Sequence, residues 1–530
     1  MIKDTRKILL FLISFLFLLI SCLPFHSAWG GEELRIADSA GDWGYPNPFR
    51  HYPRGPGYVR MSFIFDTLIW KNNNGFIPAL AESWNYNPSD MTFTFHLNSN
   101  AKWHDGKPVT GEDVAFTVEY FRTHPYRFIK IADIEDVQPE DGNTVVFRLS
   151  TPYAPFLSII GASMPILPKH IWETVEKPEV YDDPKAFVGS GPYLFGDFDK
   201  TKGTYLYRAF VDYYLGCPKV DRLIYIRSAN PLLSLTSGEA DLANIRPEMA
   251  KHLAKKGMTV ISDEHGWVKK LMVNHKKWPL SETRFRKALA YAINQSEIIE
   301  KSHRGFASPA SYGLLSVDHE MYNPAVPTYP YNPAKSIQLL ESLGFTKNQS
   351  GMFQKNGKEL KLELLCSTIT AAGENVADRD GEVIKNQLQH IGIEIELIHM
   401  ERTTADVHIK KWDFDLALSG HGGITGDPVI MNQMILSSYG GGSVNSSRYD
   451  ENRQLNEILE KSVSEMDHKK RTELVYEAQM IYATELPSIA LYYPHAFSAY
   501  NPEKSVHWFY TKGGMATGIP ISQNKTALIR

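Results

Sequence analysis

The chain has 530 residues, with 56 Lys and Arg against 60 Asp and Glu and a formal net charge of −4. That balance gives no basic footprint for nucleic acid, and 43% hydrophobic with 22% charged residues describes a folded chain rather than a disordered one. Single cores stop growing near roughly 250–300 residues, so two or more lobes are required; 27 Tyr, 26 Phe and 10 Trp suit either a ring-walled cleft or simply large cores.

Residues 1–30 read as an address. Lys3, Arg6 and Lys7 precede an apolar run over 8–23, Pro24 breaks it, and the small residues Ser27, Ala28 and Gly30 follow. This is the layout of a secretory signal, with cleavage after Gly30 and a mature start at Gly31. The run is shorter than the about 20 residues a spanning helix needs. Leu19-Ile20-Ser21-Cys22 also fits a lipobox, which would end the signal at residue 21 and make Cys22 a lipid-modified first residue, although Leu23, Pro24 and Phe25 are not the usual polar tether. Both readings place the mature protein outside the cytoplasm, in the periplasm or on the outer face of the membrane. Of the remaining cysteines, Cys366 lies in an apolar run and reads as core, Cys217 lies in a Gly-Cys-Pro turn, and their pairing stays open without geometry.

Residues 34–37 open the mature chain as a strand, and the Gly/Pro-rich stretch 41–57 reads as loop. An apolar segment, 61–70, leads to the turn Asn72-Asn73-Asn74-Gly75. Phe93, Phe95 and Leu97 alternate with polar residues as a half-buried strand, and Asp105-Gly106 with Pro108 supplies turn chemistry. A helix starts at Thr110-Gly111-Glu112-Asp113, acids in its first turn, and runs to Phe121. The second half is richer in helices. Phe285, Ala288, Leu289, Ala292 and Ile293 form an apolar stripe, Asn332-Pro333 starts a helix that Gly344 ends, and 381–391 stops at Gly392. Ile393, Ile395 and Leu397 alternate as the next strand, and 414–418 is another short one. Helix followed by strand, repeated, is the pattern of an α/β lobe.

No catalytic motif emerges. GxSxG, HExxH and GxxxxGK[ST] are absent, no paired carboxylate motif suggests acid/base work, and Gly420-His421-Gly422-Gly423-Ile424-Thr425 misses GxGxxG at its last glycine. The sequence reads as a non-enzyme and calls for no cofactor.

Leu80-Ala81-Glu82-Ser83-Trp84, Trp103-His104-Asp105-Gly106, Gly189-Ser190-Gly191-Pro192-Tyr193, Gly238-Glu239-Ala240-Asp241, Tyr291-Ala292-Ile293-Asn294, Tyr331-Asn332-Pro333-Ala334-Lys335, Gly426-Asp427-Pro428 and Glu485-Leu486-Pro487 occur in that order. Together they resemble the family 5 solute-binding proteins, the peptide- and nickel-binding proteins of ATP-binding-cassette (ABC) importers, and the matches span 34–495. The resemblance implies an α/β, periplasmic-binding-protein-like fold: two lobes joined by a hinge, with an additional inserted domain in the N-terminal half. Carried over, the first lobe is 31–66, 189–270 and 491–530, the insert 67–188 and the second lobe 271–490, with hinge crossings near Val273-Asn274 and Ile489-Ala490. It also implies a monomer that takes a small molecule or short peptide and docks on a membrane permease and ATPase complex. Trp84, the Trp103 turn and Gly189-Ser190-Gly191 read as packing and turn residues.

In the peptide-binding members, an Asp three residues before the Asp/Glu-Pro pair holds the peptide ammonium. Aligning on Asp427-Pro428 places Ile424 there, so the amine anchor is missing; Asp427 either substitutes for it or serves its own turn. The candidate ligand residues are His421, Gly422, Gly423, Ile424 and Asp427 in the glycine-rich segment, Arg50 for a carboxylate alongside Arg54 and Arg60, and Tyr58, Trp412, Tyr492 and Tyr493 as walls. The missing acid opens a second reading, a nickel or metal-chelate ligand held by His51, His421 and His495, since neutral imidazole suits such metals. A third, from another class, is a ligand-sensing or chaperone-like periplasmic protein.

Overall fold

The computed structural model describes residues 32–529 except 368, 372, 373, 377, 378, 441 and 442; residues 1–31, with both cleavage readings and Cys22, lie outside the described residues. Two sheets organise the chain. The first has seven strands, in the spatial order Thr259–Asp263, Ala496–Tyr500, Leu242–Ile245, Glu33–Asp38, Arg222–Arg227, Thr204–Ala209 and Tyr193–Asp199. Its N-terminal strand runs parallel to both neighbours. The second has six, in the order Ala307–Pro309, Ser488–Pro494, Trp267–Val273, Leu416–Gly422, Lys361–Ser367 and Glu394–Met400. Between the first two stretches of the first sheet lies an insert whose four-stranded antiparallel sheet packs with helix Gly111–Thr123.

The cores follow this division. One apolar core runs from Leu34 and Ile36 into Phe93, Phe95 and Phe147, fusing the insert to the first lobe, whereas Leu271, Leu364, Ile384 and Leu416 belong to a separate core in the second. Expected local signals are realised. Thr110 N–H donates to Asp113 Oδ2 at 2.9 Å to start its helix, and Asn332 Oδ1 accepts Lys335 N–H at 2.9 Å to start helix Pro333–Ser342. Gly189 is structural, since a Cβ there would stand 2.0 Å from the Ile64 carbonyl oxygen, and Trp103 is fully buried. Cys217 and Cys366 are not joined in a disulfide. No described helix is long and apolar enough to cross a membrane.

Two expectations need correction. The expected hinge positions, Val273-Asn274 and Ile489-Ala490, fall within or at the end of strands of the second sheet. The chain passes between sheets at residues 264–266 and again at His495, because Thr259–Asp263 and Ala496–Tyr500 pair with each other in the first sheet while their continuations pair in the second. The strand expected at 414–418 is Leu416–Gly422, so it runs through the segment that glycine content marks as loop.

Candidate ligand-binding cavity

A cavity of about 640 Å³ lies between the lobes. The first lobe contributes Trp43, Tyr52, Arg54 and the tail segment 517–521; the insert contributes Arg127. From the second lobe come Trp267, His421, Gly422, three residues of helix Arg402–Lys411, and the segment 443–445.

The first-lobe wall is tied to the end of the N-terminal strand. Asp38 accepts a hydrogen bond from Trp43 Nε1–H at 2.7 Å and pairs with the buried Arg60 guanidinium, which lies 3.4 Å from the Tyr225 ring centroid. Trp43 N–H donates to the Tyr205 hydroxyl at 2.7 Å, and Tyr52 N–H donates to the Trp43 carbonyl at 2.7 Å. The two rings then meet edge to face at 6.0 Å. The chain folds this tightly only because residue 57 is glycine: a Cβ would stand 2.2 Å from the Tyr52 carbonyl oxygen.

On the opposite wall, helix Arg402–Lys411 buries Ala405 and Ile409 and carries Arg402, Asp406 and Lys410 on one stripe at four-residue spacing. Asp406 Oδ2 accepts from Arg54 Nη2 at 3.0 Å, an ion pair from lobe to lobe. Desolvation first, and then the like charge of Arg54, hold the Arg402 guanidinium below its ordinary pKa. Arg127, Arg402 and Lys410 make no ion pair or side-chain hydrogen bond among the described residues.

The floor explains the glycines. Trp267 lies across strand Leu416–Gly422, where a Cβ on Gly420 would stand 2.6 Å from its Nε1 and one on Gly422 3.3 Å from its Cε3. Glycine in a strand here marks a close approach by another group rather than a loop. His421 pairs in register with Val268 and is buried, with no hydrogen-bond partner for either ring nitrogen. Burial, then the nearby Lys270 charge, pushes its pKa well down, so the imidazole is neutral and offers one donor and one acceptor. Lys270 is buried as well; its ammonium donates to the Asn445 carbonyl at 2.7 Å, and burial pulls its pKa down to about 7. Ser419 Oγ donates to Asn445 Oδ1 at 2.6 Å, which fixes the cavity-lining Asn445 from a second side.

Of the residues predicted from sequence, His421 and Gly422 line this cavity, and Arg54 does so among the secondary candidates. The others stand elsewhere. Arg50 donates to the Tyr181 carbonyl at 3.1 Å and lies over the Tyr45 ring. His51 is buried between the Tyr52 carbonyl, 2.8 Å from Nδ1, and the Tyr126 hydroxyl, 3.1 Å from Nε2. Tyr58 and Tyr493 are core residues whose hydroxyls bond to backbone groups, and the Tyr492 hydroxyl donates to Asp380 Oδ2 at 2.5 Å. Trp412 ends its helix in a left-handed conformation and packs on Phe414 and His275. Ile424 is fully buried in the second lobe's core, while Gly423, at φ 84°, lets the tail approach so closely that a Cβ on Gly518 would stand 2.6 Å from its Cα. Asp427 is held by both terminal nitrogens of Arg471, at 2.8 and 3.2 Å, and serves its own turn through Val429 N–H. His495 sits at the second crossing, its Nε2 2.9 Å from Ser308 Oγ. The three histidines therefore do not converge. Among the described residues no group of three or more His, Cys, Asp or Glu is placed to hold a metal ion.

Two sheets in separate lobes, joined by two short crossings and facing one another across a cavity, define a two-lobed solute-binding protein. The chain belongs to the bacterial extracellular solute-binding proteins, family 5, whose middle-region family model matches residues 75–443. It is 24% identical over 459 residues to the dipeptide-binding protein of Escherichia coli strain K12, covering 81% of this chain and 82% of that one. In fold it matches NikZ from Campylobacter jejuni in complex with Ni(L-His), with a TM-score of 0.79 at 22% identity over 94% of this chain and 99% of the other. It also matches the oligopeptide-binding protein AppA from Bacillus subtilis in complex with a nonapeptide, with a TM-score of 0.73 at 22% identity over 91% and 96% of the two chains.

Proposed function

We propose that the chain is the extracytoplasmic solute-binding component of an ABC importer, capturing a small peptide-like ligand between its lobes and delivering it to the membrane permease and ATPase. The observation that supports this reading is the cavity of about 640 Å³ walled from both lobes and spanned by the Arg54–Asp406 ion pair. That volume lies within the roughly 300–1,000 Å³ range of small-molecule sites. Closure hinges at residues 264–266 and at His495, where the chain changes sheets. Export through the segment 1–30, or lipid attachment at Cys22, places the mature monomer where such a ligand is met.

Native mass spectrometry of the purified mature protein tests this directly. The expected result is a retained small molecule, or thermal stabilisation by a panel of di- and tripeptides. A protein that carries no ligand, is shifted by none, and never co-purifies with importer membrane subunits is not a capture protein.

A second reading, capture of a metal already held by a small chelator, is supported by one feature: the neutral, unpartnered His421 imidazole at the cavity. It predicts thermal stabilisation by Ni²⁺ with histidine, absent in His421→Ala.

A further inference from the structure

We propose that the cavity selects a ligand bearing at least two carboxylate groups, and that it holds this ligand without binding an α-ammonium group. This deepens the capture reading and rests on it. Arg54, Arg127, Arg402 and Lys410 line the cavity against a single carboxylate, Asp406. Asp406 is already engaged by Arg54, and Asp427 beyond the cavity is engaged by Arg471. No lining carboxylate is left for a cationic end of a ligand, while three cations are left for anionic ends.

The cations also come from separate parts of the chain. Arg54 sits on the first lobe, Arg127 on the insert, and Arg402 with Lys410 on a helix of the second lobe. Closing the lobes therefore gathers like charges into a partly desolvated space, where repulsion is less screened than in water. The depressed pKa of Arg402, caused in part by Arg54, is a trace of that crowding. A ligand with two or more carboxylates removes the repulsion, so its charge becomes the condition for stable closure. Guanidinium groups present paired N–H donors that match carboxylate oxygens.

The floor reinforces this. Lys270 is buried with its ammonium on one backbone carbonyl, that of Asn445, and has no carboxylate partner among the described residues. A buried ammonium normally has one. Below about pH 7, where Lys270 is protonated, its charge adds positive potential beside Asn445 and His421, both of which line the cavity. Trp43, Tyr52 and Trp267 add apolar ring surface to the same lining. The ligand class is thus a small apolar or planar body with acidic ends, whether an acidic peptide or a polycarboxylate.

The test uses the mature protein and matched probes in calorimetry and thermal melts: N-acetyl-Glu-Glu, the neutral N-acetyl-Gln-Gln-amide, the free-amine dipeptide Ala-Ala, and citrate with and without Ni²⁺. Tighter binding of either acidic probe than of both the neutral diamide and the zwitterionic Ala-Ala, by about tenfold or more, supports the proposal, and loss of two carboxylate contacts predicts a gap on the order of a hundredfold between the acid and the diamide. The acidic peptide and citrate arms tell the two ligand sources apart. Arg127 and Arg402 are both exposed, so the Arg127→Gln, Arg402→Gln double variant should fold as the parent does and lose most of the acid preference. Lys270→Met should lose part of it; because that site is buried, its melt is recorded alongside. Equal binding of the amide and the acid, or binding that requires a free amine, overturns the selectivity and leaves capture standing. If no probe binds, the co-purified molecule decides: a dianion supports the proposal, a neutral or cationic molecule overturns it, and no molecule at all removes the capture reading as well.

Discussion

Two clusters of charge in this protein are built on opposite rules. Beneath the first lobe, Lys525 of the C-terminal tail pairs with Asp66 where both are fully buried, and Tyr213 and Tyr214 donate to the same carboxylate at 2.8 and 2.7 Å. The ammonium also bonds the Ser62 carbonyl at 3.2 Å and lies 4.1 Å from the Trp70 ring centroid. Every charge there is answered from within the chain. At the inter-lobe cavity four cations face one carboxylate, and the buried Lys270 has a single carbonyl. Charge that holds the fold is compensated internally; charge left uncompensated beside a cavity waits for something from outside.

The largest effect expected is at the compensated cluster. Removing one partner of a buried pair leaves an uncompensated charge, costing about 3–5 kcal/mol. Lys525→Met should therefore lower stability to denaturant by that amount, and adding Asp66→Asn should recover part of it, because the orphaned carboxylate is then gone. Lys270→Met should cost far less or even stabilise, since no carboxylate is stranded. Equal losses at Lys525 and Lys270 would break the contrast.

Next in size is a pH effect within the first lobe. Burial pushes His51 down to about 4 from an ordinary value near 6.5, the Tyr52 carbonyl offsetting this only partly. The unfolded chain then takes up a proton that the native state refuses, so this contribution is fully present above about pH 6.5 and is lost as pH falls toward 4. The loss is about 3 kcal/mol at one pKa unit per about 1.4 kcal/mol. His51→Gln should flatten the acid limb of the stability profile over that window; an unchanged limb would place the acid sensitivity elsewhere. Smaller again, Gly420→Ala puts a Cβ 2.6 Å from both Trp267 Nε1 and the Val268 carbonyl, and should cost about 1–3 kcal/mol by overpacking. A silent substitution would mean that the indole does not need the bare strand.

The fold was far more legible in the sequence than the cavity. Alternation at Phe93, Phe95 and Leu97 and the Asn332-Pro333 cap carry their own local signal, and the ordered motifs place the chain in its family. The cavity is assembled from pieces whose meaning lies in distant partners. Glycines at 420 and 422 signal loop until Trp267, some 150 positions away, is seen lying on them. The substitution of Ile424 for an acid pointed to a ligand contact, but the residue is core, and what matters there is that no acid replaces it. One local signal does mark the cavity in the sequence: Arg402, Asp406 and Lys410 fall on a single helical stripe beside a buried face of Ala405 and Ile409. His51 and Tyr493 stand outside this cavity and bond to backbone groups, because a polar residue near a lobe boundary is as easily satisfied by backbone as by a ligand.

The smallest effect is the most discriminating. The Arg54–Asp406 pair is partly exposed, and such pairs are worth roughly 0–1 kcal/mol, so Asp406→Asn should barely change the melt of the unliganded protein. It acts on binding in two opposed ways. Losing the pair weakens closure, which lowers affinity for every ligand alike. Losing the carboxylate leaves Arg54 unneutralised, which favours acidic ligands alone. The closure term cancels in the ratio of affinities for N-acetyl-Glu-Glu and its amide counterpart, because both ligands need the same closed state. That ratio should rise up to about fivefold in Asp406→Asn, while small-angle scattering shows a more open unliganded protein. A fall in both affinities at constant ratio would make Arg54 and Asp406 a latch only, and would strip the cavity's charge of its part in choosing the ligand.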